Sequence, residues 1–107
     1  MKVEKLIRNN MVAVLISPGF GAGWSSWNLE HKDSGMLLFD RRLVELAERQ
    51  DWEAFEAKAI ELTGDEGLYF GGMEDVKVQW VLQGTRFYVH EYDGSEHIVT
   101  EEEFEIA

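Results

Sequence analysis

Met11-Val12-Ala13-Val14-Leu15-Ile16 is the longest unbroken apolar run in the chain, with no polar face. A strand that is apolar on both sides has to be covered on both sides, so this run predicts a central strand. Val3 to Ile7 precedes it across Asn9-Asn10, and asparagine tolerates the positive φ of a tight turn. The two arms predict a β-hairpin. From residue 40 onward the apolar spacing changes to three and four. Asp40 is an N-cap for a helix over 41–49, with Leu43, Leu46 and Ala47 at i, i+3 and i+4. Asp51 caps a second helix, whose Trp52, Phe55, Ala59 and Leu62 form one stripe before Gly64 stops it. Both helices are expected to lay one face on a sheet.

The alternation returns after residue 75. Val76 to Leu82 mostly alternates apolar and polar residues, with Val81 the exception, and Gly84-Thr85 reads as a two-residue turn into Arg86 to Tyr92. Asp93-Gly94 is a strong type I′ signal, closing a third strand over 96–100. Counting through both turns sets Leu82 opposite Phe87 and aligns Trp80, Val89 and Ile98 in a buried row under the helices. The opposite face then carries Val81–Tyr88–Val99, Gln79–His90–His97 and Lys77–Tyr92–Ser95. The opposed Glu91 and Glu96 point away from the histidines. The expected fold is a small single α+β domain over 1–107. It joins an N-terminal hairpin and a C-terminal three-stranded meander, with two short helices on one face.

Composition narrows the possible roles. The chain has 107 residues, 21 acids against 10 bases and a formal net charge of −11. Four Trp, six Phe and three Tyr supply a real core, so disorder is not expected. The absence of Cys removes disulfides, thiolate metal sites and cysteine nucleophiles. No run approaches the roughly 20 apolar residues of a membrane-spanning helix, and Met1 to Lys5 leads into no apolar signal region. A cytoplasmic protein is the expectation. The acidity is uneven: residues 1–50 carry seven bases and six acids, residues 51–107 three bases and fifteen acids. Direct nucleic-acid binding needs clustered Lys and Arg, and the acidic half favours a basic protein partner instead. Glu101, Glu102 and Glu103 belong to a tail, 101–107, expected to be a frayed acidic end.

The segment from Ser17 to Gly35 reads as a long Gly-rich loop with two of the four Trp, and long loops in small domains are often functional. Phe20, Trp24 and Trp27 are rigid contact residues of the kind enriched at interaction hot spots, and Gly19, Gly21 and Gly23 shape the loop through positive-φ turns. The alternative is a small-ligand site in 17–24, where the glycines offer N–H groups to an anion or nucleotide. The spacing G-x-G-x-G opens into no helix period, unlike a dinucleotide fingerprint, and no Gly-Lys-Ser/Thr follows. A third reading is an acidic DNA-mimicking inhibitor. His90 and His97 are cross-strand neighbours in the expected register and weak metal candidates, because zinc generally takes three or four protein ligands; no metal or cofactor is expected. Ser25 and Ser26 lie outside any hydrolase elbow, and the acid pairs Asp65-Glu66 and Glu74-Asp75 border Gly-rich turns, so a non-catalytic protein is expected. Tyr88, Tyr92, Val81 and Val99 on the sheet face away from the helices imply a cover: the N-terminal hairpin, the Trp loop or a second copy. A homodimer is the expectation.

The run Val12 to Asn28, with Ser17-Pro18-Gly19-Phe20-Gly21-Ala22-Gly23-Trp24-Ser25-Ser26-Trp27 at its centre, resembles a segment of small uncharacterised phage and prophage proteins. Leu38-Phe39-Asp40, Tyr69-Phe70-Gly71-Gly72, Gly84 to Phe87 and His90 to Ser95 are similar too. The resemblance implies a phage-type accessory protein, a class rich in non-catalytic binders of host proteins. It assigns no functional residue.

Overall fold

The computed structural model describes residues 3–19, 23–28 and 34–100. It is α+β, as expected. Strand β1 (Ile7–Arg8) turns back through Asn9 and Asn10, at φ 52° and 65°, into β2 (Met11–Ile16). Three helices follow: α1 (Ser34–Phe39), α2 (Arg41–Glu48) and α3 (Trp52–Thr63). Strands β3 (Lys77–Leu82), β4 (Phe87–Tyr92) and β5 (Ser95–Thr100) complete the order. Helix α1 falls in the stretch expected to be loop through Gly35, and it buries Met36 and Leu37. Asp51 caps α3 through the Ala54 N–H at 3.3 Å, and Gly64 ends it at φ 71°.

The three-stranded meander is not formed. β3 pairs antiparallel with β2, from Met11↔Leu82 to Ile16↔Lys77, giving a sheet in the order β1-β2-β3. β4 and β5 form a separate two-stranded sheet. Leu82–Phe87 and Trp80–Val89 are therefore not ladder pairs, and Val81, Gln79 and Lys77 do not align with Tyr88, His90 and Tyr92. Within β4–β5 the expected register holds: Tyr88↔Val99, Val89↔Ile98, His90↔His97, Glu91↔Glu96 and Tyr92↔Ser95.

The physical reason lies in β2, which is apolar on both faces. Ala13 and Leu15 join Trp24, Leu43, Val44, Phe55 and Ala59 in the core under the helices. Val14 and Ile16 point the other way and cluster with Val81, Ile98, Phe87 and Val89. The β4–β5 hairpin thus covers the second face of the sheet, and Val81, the break in the alternation, is the residue of β3 that this face needs. On the outer face of the hairpin Tyr88 is 48% and Tyr92 70% exposed. Among the described residues no helix is long and apolar enough to cross a membrane.

Asp40 joins α1 to α2 and is fully buried. It accepts the Arg42 N–H at 3.0 Å as N-cap, and the Arg42 guanidinium at 2.9 Å (Nε to Oδ1) and 2.8 Å (Nη2 to Oδ2). Burial pushes the Asp40 carboxyl up, but the side-chain and backbone hydrogen bonds from Arg42, with its charge, outweigh this and hold it below the ordinary 3.8. A lowered folded-state value means the contribution is fully present above the ordinary carboxylate range and lost as pH falls through the folded value. Arg42→Ala is therefore expected to destabilise the fold by about 2 kcal/mol at neutral pH. The difference from wild type should shrink in urea titrations as pH falls below the ordinary carboxylate range and Asp40 takes up a proton. An unchanged difference would remove Asp40 from the account.

Candidate functional site

Glu96 is the second residue of β5, and the pleat that turns His97 outward turns Glu96 inward. Its side chain is 0% exposed. Oε1 accepts the Ser17 N–H at 2.8 Å, and Oε2 accepts the Trp24 N–H and the Ser26 N–H, each at 2.9 Å. The Ser26 hydroxyl donates to the same Oε2. The Glu96 N–H in turn donates to the Ser17 carbonyl at 2.8 Å. A buried carboxylate without such donors would be strongly unfavourable; converging N–H dipoles make an anion nest that offsets the lost hydration. The loop after β2 is thus an anion-binding loop whose occupant is the chain's own glutamate.

This arrangement revises the expected roles in 17–24. The donors come from Ser17, Trp24 and Ser26, none of them a glycine. Trp24 is core, not a contact surface: it is fully buried, its Nε1 donates to the Leu37 carbonyl at 2.8 Å, and its ring packs 5.1 Å from Phe55 and 5.7 Å from Phe70. Gly19 and Gly23 do not adopt positive φ. Gly23 is needed for close approach instead, since a Cβ there would lie 2.6 Å from Trp27 Cδ1. Phe20, Gly21, His31 and the tail 101–107 lie outside the described residues.

Trp27 does reach the surface. It sits on the 3-10 turn Ser25–Asn28, 39% exposed, and its Nε1 donates to Glu91 Oε1 at 2.9 Å. Its ring meets Tyr69, 38% exposed, at a centroid distance of 5.0 Å and a tilt of 47°. Tyr69 was not singled out from sequence. The buried Asn28 side chain fixes it: Asn28 Oδ1 accepts the Tyr69 N–H at 2.9 Å, and Asn28 Nδ2 donates to the Tyr69 and Trp24 carbonyls at 3.2 and 3.0 Å. A Cβ on Gly71 would overlap the Tyr69 hydroxyl. Gly23 and Gly71 thus make room for the two exposed rings, one each.

No family model, curated protein or solved structure matches the chain. The site stands on its own geometry.

Other candidates are placed elsewhere. A cleft of about 200 Å³ lies at the end of β3, lined by Trp80, Leu82, Ile98 and Thr100, away from the Gly/Trp loop. His90 and His97 are adjacent on the exposed face of β4–β5, and no cluster of three or more His, Cys, Asp or Glu suited to a metal occurs among the described residues. The one sequence signal for Glu96 was its register. An acid stood on the inward face with Val89 and Ile98, and an inward acid needs donors.

Proposed function

We propose that this chain is a non-catalytic binding protein, of the phage accessory kind its sequence resembles, and that it grips a basic protein segment through Trp27 and Tyr69. The observation that carries this reading is the aromatic pair itself: two half-exposed rings in contact, held from beneath by Glu91 and Asn28 on a loop pinned by Glu96. Rings fixed before binding lose little freedom when a partner arrives, and Trp and Tyr are the commonest anchors of interfaces. The partner's chemistry follows from the surroundings. Segment 64–75, which carries Tyr69, holds Asp65, Glu66, Glu74 and Asp75 and no base. A guanidinium or ammonium group meets ring faces and carboxylates there together. The Gly-loop ligand reading is less favoured, because the Ser17, Trp24 and Ser26 N–H groups already hold a carboxylate.

The test is titration with a short Arg-rich peptide, followed by NMR at the backbone amides and the Trp27 indole N–H. Shifts should concentrate at Trp27, Tyr69 and Glu91, weaken with added salt, and disappear in Trp27→Ala and Tyr69→Ala while the fold persists. Shifts spread evenly over the acidic surface, or unchanged in both variants, would overturn the reading.

A further inference from the structure

The outer face of β4–β5 holds a pair of histidines that the proposed contact site does not use. His90 and His97 face each other across the ladder, with ring centroids 4.7 Å apart and planes inclined by 49°. Both are exposed, so a dissolved ion can reach them. We propose that His90 and His97 form a bidentate site for a late first-row divalent metal ion, with water completing its shell.

Three features support this. Two imidazole nitrogens at about 2.1 Å from one ion stand about 3 Å apart, which rings at this separation reach by side-chain rotation alone. The hairpin is preorganised: Asp93 at φ 52° and Gly94 at φ 86° fix a two-residue turn, and the register that opposes the histidines is set by it. The chelate therefore forms without ordering the backbone, which removes much of the entropic penalty of bringing two ligands together. Imidazole suits Cu²⁺, Ni²⁺ and Zn²⁺, and Cu²⁺ binds such nitrogen sites most tightly. Two protein ligands leave coordination positions open, unlike the closed four-ligand sites that serve structure alone.

The experiment is calorimetric titration of the full chain with Cu²⁺ and then Ni²⁺, in buffer without chelators, for wild type and for His90→Gln, His97→Gln and His31→Gln. Both paired histidines are exposed, so these variants are expected to fold. Chelation predicts that His90→Gln and His97→Gln each weaken binding at least about tenfold, and that the double variant is weaker than either but loses less than the two single effects combined. His31→Gln should bind like wild type. Single variants that bind as tightly as wild type, or a loss confined to His31→Gln, would overturn the proposal.

Discussion

Glu96→Ala is expected to destabilise the protein by about 4 kcal/mol and to release the loop after β2 from the rest of the fold. The substitution removes the acceptor of four donors, three of them backbone N–H groups of Ser17, Trp24 and Ser26. Each buried donor left without a partner costs about 1–3 kcal/mol. Relief from burying a charge and entry of water offset part of the sum. What remains is a large fraction of the roughly 5–15 kcal/mol by which a domain is stable. Glu96→Gln should be milder, about 2 kcal/mol, for a specific reason. Oε2 takes three of the donors and Oε1 takes one, so the amide oxygen can occupy the first position while its NH₂ opposes only the Ser17 N–H. Added formate should partly restore Glu96→Ala by entering the emptied nest. Urea unfolding of the three proteins checks this series. A Glu96→Ala variant within about 1 kcal/mol of wild type would mean that the carboxylate does not anchor the loop.

Trp24→Ala should be of similar size, about 3–5 kcal/mol, because it empties a fully buried indole site. Its ring lies between Phe55 of α3 and Phe70, and its Nε1–H satisfies the Leu37 carbonyl. Removing it leaves both a cavity and an unpaired acceptor in α1. Trp24→Phe refills most of the space and should recover all but about 1–2 kcal/mol, the share of the lost hydrogen bond and residual gap. Trp27→Ala is the contrast: it removes a half-exposed ring and an exposed hydrogen bond, and should change stability by less than about 1 kcal/mol. Urea unfolding with near-ultraviolet circular dichroism separates the two tryptophans. Equal losses at both positions would remove the division between a core indole and a surface indole on which the binding proposal depends.

That division also marks where sequence reasoning reached its limit. Local signals were legible: Asn9-Asn10, Asp93-Gly94, both Asp N-caps and Gly64 act over a few residues, and each is where the local chemistry requires it. Pairing between distant segments was not. Gly84-Thr85 looked like a hairpin turn, but β2 offered β3 a partner while its own second face demanded a cover, and β4–β5 supplied that cover. Val81 carried the only hint, as an apolar residue out of phase. The two loop tryptophans looked alike because their types match and their spacing obeys no period. What separates them is tertiary: Trp24 meets Phe55 and Phe70, whereas Trp27 meets Tyr69 and Glu91. Counting register set Glu96 on the face away from His90 and His97, as observed, yet its donors lie some seventy residues earlier in the chain, beyond the reach of any local rule.

Amide hydrogen exchange at Ser17, Trp24 and Ser26 tests the central claim most directly, because these three N–H groups are the ones that hold Glu96. If the carboxylate pins the loop, all three exchange as slowly as the core amides of β2 in wild type, all three speed up in Glu96→Ala, and Glu96→Gln speeds Ser17 most. Fast exchange in wild type, or protection that Glu96→Ala leaves untouched, would contradict a loop organised around its own buried anion.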